Sequence, residues 1–477
     1  MVFEVSDIYV NKDGIKVIDR FFTVPLDHAT PDGPKIRIFA RNLVPLAKAS
    51  RSKTTNGRQN STRSTDDSND GDRAPLKDKG VCDLPIVVYL QGGPGFEVNL
   101  QGNSSYAKEL HEQGYQTLWL DQRGTGLSTS LSHETLPEHL KTEEEKAAYC
   151  KHFRADSIVK DCELIRKELL SERPEHEQKW SILGQSFGGF CAITYLSFHP
   201  EGLSEVFITG GLAPLYDHPD PVYQAVVARV VKRNQVYYSK YPQDIARVRQ
   251  IVSYLEDNGV TLPNGGNLSV QRWLSLGIAF GAHGGIDTIH QLVFRATNDL
   301  EIFGKLSYKT LQMVQDQHSF DTNPIYAVLH EAIYCQGKAS KWSASRIMKD
   351  QPQFQWSDVK KLADTEPIYF TGEMIFPEMF DDHSNLRPLK GVAEILANDK
   401  QWGPLYDLER LAKNEVKVSA VTYVEDMYVD FDLAQETASK IKNTEQYITN
   451  QLFHNGLRHD PKDVIKTLLE LSKREYD

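Results

Sequence analysis

One serine in this chain stands where a nucleophile would be built. It lies in Gly184-Gln-Ser186-Phe-Gly188-Gly189, directly after the short apolar run Trp180, Ile182, Leu183. The residues that follow, Cys191 to Phe198, have the makings of a helix. G-x-S-x-G between a strand and a helix is the setting of a nucleophile elbow. The turn is so sharp that the positions two before and two after the serine must lack bulky side chains, and Gly184 and Gly188 occupy them. The hydroxyl then clears the sheet edge, and the first backbone N–H groups of the helix can receive an oxyanion. The same five residues also fit a glycine-rich turn with an incidental serine; the flanking strand and helix favour the nucleophile.

A serine hydroxyl is a weak nucleophile alone. It needs an imidazole to take its proton and a carboxylate to hold that imidazole in one tautomer. With an elbow of this kind both partners come later in the chain, acid first and histidine second, at the ends of further strands. The predicted strand Lys417–Val424 runs into Glu425 and Asp426, either of which could be the acid. The next, Glu445–Asn450, leads to His454 just before the last helical segment, with His459 in reserve.

These positions require a sheet beneath them. Leu84–Leu90 and Tyr115–Leu120 are continuous apolar runs of the kind buried on both faces, and each ends in glycines: Gln91-Gly-Gly-Pro-Gly95 and Asp121-Gln-Arg-Gly-Thr-Gly-Leu-Ser128. Glu205–Gly211 is a further strand. Strands alternating with helices imply an α/β fold with a mostly parallel, doubly wound sheet, its site at the carboxyl ends of the strands. Ahead of it, residues 20–26 and 35–41 alternate like paired strands around the turn Pro31-Asp-Gly-Pro34. Residues 47–80 carry no aromatic and almost nothing apolar, which predicts a disordered surface loop. From about 214 the pattern turns helical, with helices over 220–233 and 243–256 and only a short strand at 368–371. The expected division is a core in two parts, 1–213 and 405–477, around a mostly helical insertion, 214–404.

Composition narrows the function classes. The 477 residues are 40% apolar, enough for a large core, and carry a net charge of −11 without a sustained basic patch, which argues against nucleic acid. Five scattered cysteines with no C-x-x-C pair indicate neither a disulfide framework nor a metal site. No run of 18 apolar residues or signal-like leader is present, so no membrane partner is expected and a cytoplasmic protein is. No cofactor is expected.

Three motifs together, Gln91–Gly95, Asp121–Ser128 and Gly184–Gly189, resemble the proline iminopeptidase (prolyl aminopeptidase) family of α/β-hydrolases, in the look of its longer, fungal-type members. The likeness continues through Thr371-Gly-Glu-Met374, Glu425-Asp-Met-Tyr428 and His454-Asn-Gly-Leu-Arg458, and leaves out mainly residues 47–80. The resemblance implies an α/β-hydrolase core with a helical cap. It implies Ser186 as nucleophile, Asp426 as the acid because of its Asp-Met context, and His454 as the base. The oxyanion hole would be the backbone N–H of Phe187 with that of Gly93. Asp121 and Arg123 would brace loops. Glu331 and Glu373, each set among apolar residues, resemble the family's two cap glutamates that hold a substrate ammonium; the plain alternative is a pair of solvated helix acids. The implied activity is a serine exopeptidase that removes an N-terminal residue, preferentially proline, from peptides with a free N-terminus through an acyl-enzyme. An esterase or amidase acting on small acyl groups could use the same elbow and triad, and a non-catalytic binding protein could keep the fold. Gln91 stands where the family usually has His.

Overall fold

The computed structural model describes residues 2–52, 82–98 and 105–474. Nine strands form one sheet in the order β1-β2-β3-β5-β4-β6-β7-β8-β9. The first three, β1 (Val2–Val10), β2 (Ile15–Pro25) and β3 (Lys35–Pro45), are antiparallel, and β3 also runs antiparallel to β5 (Gln116–Leu120). From β5 onward the sheet is parallel: β4 (Ile86–Leu90), β6 (Trp180–Gln185), β7 (Leu203–Thr209), β8 (Lys417–Tyr423) and β9 (Thr444–Thr449). The two predicted N-terminal strands are thus longer than the alternation suggested, and a third, β1, covers the edge beside them. The turn between β2 and β3 holds Pro31–Pro34 as expected.

The apolar runs become strands because helices cover both faces of the sheet. Every residue of β4, β5 and β6 is buried. Alternation then divides their side chains between two cores. Val88, Leu90 and Ile182 face one that contains Ile158, Cys162, Ile165 and Leu169. Val87, Tyr89 and Leu183 face the other, packed under Val464 and Leu468 of the closing helix Pro461–Lys473. The four apolar positions at helical spacing between 158 and 169 are the inner face of helix Ala155–Leu170.

Between β7 and β8 no further strand joins the sheet among the described residues. Helices Asp220–Lys240, Asp244–Asp257 and Gly285–Phe303 dominate this stretch, the first with Pro221 in its opening turn, where the missing N–H costs nothing. The short strand expected at 368–371 does not form. There the Asn234 side chain donates to the Phe370 carbonyl and accepts from the Phe370 N–H, both at 2.8 Å, while the Thr371 N–H reaches Leu274. A side-chain amide has the donor and acceptor of a peptide, so it replaces a neighbouring strand. The segment read as a disordered loop, 47–80, begins instead inside a helix, Leu46–Ser52; its residues 53–80 lie outside the described residues. No helix among the described residues is long and apolar enough to cross a membrane.

Two charged residues of the second glycine motif tie the loops at the sheet's carboxyl edge. Arg123 forms a two-pronged ion pair with Asp161, each contact 2.7 Å, and donates to the carbonyls of Leu26 and His152. Asp121 accepts the N–H groups of Val98 at 2.9 Å and Leu127 at 2.8 Å. Burial lifts the Asp121 carboxyl to about 6 against those two bonds. Both residues brace, as their motif suggested.

Candidate active site

Ser186 sits at the turn between β6 and helix Phe187–Phe198 with φ 55° and ψ −125°, a conformation costly for any residue with a Cβ. The surroundings hold it there. Its N–H donates to Thr209 of β7 at 3.0 Å, and its carbonyl accepts the Gly189 N–H at 2.7 Å. A Cβ at position 188 would come within 1.9 Å of the Leu90 carbonyl oxygen, and one at 184 within 2.5 Å of the Gly188 carbonyl oxygen. The glycines are therefore set by close backbone approach, as the elbow requires. Phe187 opens the helix, so its N–H belongs to the first turn, which has no intrahelical acceptor. Gly93, on the turn after β4, lines the same cavity as Ser186.

The loops after β8 and β9 bring an acid and an imidazole together. Asp426 Oδ1 accepts the N–H groups of Tyr428 at 2.8 Å and Val429 at 3.0 Å, and Oδ2 lies 2.8 Å from His454 Nδ1. A carboxylate in such a bond only accepts, so Nδ1 carries the proton and Nε2 is left as a base. Burial pulls the His454 pKa down, but the adjacent Asp426 charge and hydrogen bond, with Glu373 behind them, outweigh it and raise the pKa overall. The Tyr428 ring stands edge-on to the imidazole, 4.6 Å between centroids. The reserve residues lie elsewhere: Glu425 pairs with Lys232 at 2.6 Å, and His459 stacks on His283. Among the described residues no hydrogen bond joins Ser186 Oγ to His454; such contacts commonly tighten only when substrate arrives.

Ser186 and His454 share a cavity of about 520 Å³. Residues from the helical stretch close it, among them Phe320, Tyr326 and Glu373. The Tyr326 hydroxyl donates to Glu373 at 2.5 Å and its ring stacks on Phe320. Burial is the main reason that the Glu373 carboxyl is lifted to about 7; His454 and the Tyr326 hydrogen bond lower it, and the Asp426 charge raises it further. An enclosed carboxylate with room beside it is a receptor for a cation.

Glu331 is not brought to this cavity. Its two oxygens accept the N–H groups of Ser343 at 3.0 Å and Ala344 at 2.9 Å, at the start of helix Ser343–Met348. First-turn amides lack partners of their own and attract a carboxylate, so this buried acid is consumed by the fold. The two glutamates expected together are thus separated: Glu373 lines the cavity that holds Ser186 and His454, and Glu331 does not.

Gln91 is held from several sides. Its Oε1 accepts the Tyr89 hydroxyl at 2.8 Å, the Gly92 N–H at 3.2 Å and Arg458 Nη2 at 3.1 Å, while Nε2 donates to the Glu97 carbonyl. An amide with an acceptor and donors thus supports the turn where the family usually has an imidazole. Sequence reading missed Tyr326, Tyr428 and Arg458 as cavity residues. Arg458 and Tyr428 lie within motifs named above, but an aromatic residue of the helical stretch such as Tyr326 carries no mark that separates core from cavity wall.

Residues 85–255 match the α/β-hydrolase fold family. A proline iminopeptidase of Aspergillus aculeatus is 39% identical over 97% of this chain and 98% of its own length. One from Aeromonas sobria is 40% identical over 98% and 99%. A solved proline iminopeptidase structure from Mycobacterium smegmatis is 12% identical, covering 94% of this chain and 98% of its own at a TM-score of 0.39. With relatives matched at this identity along nearly their whole length, and with the sheet order and serine turn described above, the chain belongs to the proline iminopeptidase family of α/β-hydrolases.

Proposed function

We propose that this protein is a serine exopeptidase that releases an N-terminal residue, preferentially proline, from peptides with a free N-terminus. The observation that carries the proposal is that Ser186, the Asp426-bound His454 and the enclosed Glu373 border one cavity. The names of the Aspergillus and Aeromonas relatives support proline as the preferred residue.

In this reading the substrate's ammonium lies against Glu373 with its acyl carbon over Ser186. His454 Nε2 takes the hydroxyl proton as Oγ attacks, and the carbonyl oxygen, now negative, is met by the N–H groups of Phe187 and Gly93. The imidazolium, steadied by Asp426, passes the proton to the leaving amine, and the peptide minus its first residue departs. Water, deprotonated by the same imidazole, then frees the amino acid from Ser186. Residues 214–404 act as a cap domain on a core of 1–213 and 405–477. By roofing the cavity they admit a chain end and exclude internal peptide bonds. Five free cysteines support a cytoplasmic setting.

The test is turnover of proline p-nitroanilide, alanine p-nitroanilide and p-nitrophenyl acetate by wild type and Ser186→Ala. Loss of one triad member typically removes about 10⁴-fold in kcat, and labelling by a fluorophosphonate should vanish with it. A Ser186→Ala enzyme that keeps a tenth of wild-type kcat refutes the assignment. Hydrolysis of the ester without either anilide would favour the esterase reading.

A further inference from the structure

The proposed reaction accounts for the acyl side of the cavity and says nothing of the peptide that leaves. Its wall contains one arginine, Arg458, four residues beyond His454. Arg458 lines the cavity yet is exposed, so it stands at the mouth, whereas Glu373 is enclosed beneath Tyr326. One hydrogen bond fixes it: Nη2 donates to Gln91 Oε1 at 3.1 Å, on the segment that continues through Gly92 to Gly93. Gln91 is neutral, and among the described residues no acid pairs with Arg458. Glu97 borders the same mouth but forms no ion pair with it. A guanidinium with most of its N–H groups uncommitted beside a reacting centre is a fork for a carboxylate.

We propose that Arg458 is a specificity-determining residue that binds a carboxylate on the leaving side of the scissile bond, so that the cavity favours short peptides carrying an ammonium at one end and a carboxylate at the other. The inference rests on the exopeptidase reading above. With the ammonium held at Glu373 and the carbonyl between Ser186 and Gly93, the departing residues run toward the mouth. Each residue carries the terminal carboxylate outward by up to about 3.6 Å, so the benefit fades as the peptide lengthens. An aspartate side chain just after the scissile bond presents the same group.

The experiment compares kcat/KM for Pro-Gly with Pro-Gly-amide, and for Pro-Asp-amide with Pro-Asn-amide, in wild type, Arg458→Gln and Arg458→Lys, with proline p-nitroanilide as the reference. A charge-assisted bond at an exposed rim lies at the weak end of its range, so the carboxylate substrate of a pair should be preferred about tenfold by wild type. The preference should fall to about one in Arg458→Gln, survive in part in Arg458→Lys, and shrink as ionic strength rises. Preference within the first pair alone identifies the C-terminal carboxylate; preference within the second identifies a side chain. No preference in either pair by wild type, a preference undiminished in Arg458→Gln, or one indifferent to salt overturns the proposal. Should Arg458→Gln be inactive, wild type and Arg458→Lys decide it through the salt series. If wild type cleaves none of these substrates, proline p-nitroanilide included, the exopeptidase reading itself fails, and that result is distinct from equal cleavage of both members of a pair.

Discussion

Glu373→Gln keeps the shape of the side chain, and an amide oxygen can still accept the Tyr326 hydroxyl now bonded at 2.5 Å. What it removes is the charge that would hold a substrate's ammonium. A hydrogen bond to a charged group is worth about 1.5–3 kcal/mol, which corresponds to a loss of roughly ten- to 150-fold in kcat/KM. Proline p-nitroanilide should lose that much, whereas p-nitrophenyl acetate, with no ammonium, should be little affected at a pH where His454 is neutral. The pH profiles sharpen the contrast. Glu373 is lifted to about 7, so its charge is lost as pH falls through that value. His454 is raised above its ordinary value, so its basic form disappears on the same acid side. The two groups influence each other and titrate as a pair. The free-amine substrate needs both deprotonated, and log kcat/KM should approach a slope of two against pH on the acid limb. The ester needs only neutral imidazole and should approach a slope of one. Removing the Glu373 charge also removes one cause of the raised His454 pKa, so the ester's acid limb should move to lower pH in Glu373→Gln. Stopped assays across pH 4–9, a range of roughly two to three units about these groups, read all of this. A variant that cleaves the anilide within threefold of wild type, or that slows the ester equally, refutes the role of Glu373.

The remaining expectations separate close alternatives. Asp426→Asn should lose far more activity than Glu425→Gln, because only Asp426 touches the imidazole and Glu425 pairs with Lys232; comparable losses would refute that division. His454→Ala should likewise be far worse than His459→Ala, measured on either substrate. Glu331→Gln should act through the fold, since its oxygens hold two amides at the start of a helix: a fall of about 1–3 kcal/mol in unfolding free energy is expected. The ratio of anilide to ester turnover should stay at the wild-type value, and a selective loss of the anilide would return Glu331 to the substrate.

What was legible in the sequence follows from what each signal reports. The inner strands of the parallel sheet, β4, β5 and β6, were readable because burial on both faces leaves no polar alternation, and the turns after them were marked by glycines, some forced by backbone contacts such as Gly188 against Leu90. Strand β1 was not, since its exposed edge alternates weakly and carries charge. At 368–371 an apolar run resembled a strand, but its hydrogen-bond partner is a single side chain, Asn234, distant in sequence and invisible to local pattern. The site divides in the same way. Ser186, Asp426 and His454 follow strand ends, so topology alone carries them to one edge. Glu331 and Glu373 come from the helical stretch, where apolar neighbours mark an acid as buried without indicating what it faces. One is consumed by helix amides and the other borders the cavity. Chain order therefore predicts the groups proposed for acyl transfer, while the group proposed to meet a substrate's ammonium depends on packing in the helical stretch that only the three-dimensional arrangement reveals. Glu373 belongs to that second kind, whereas Arg458 follows β9 as His454 does, and only the structure shows that it stands at the mouth.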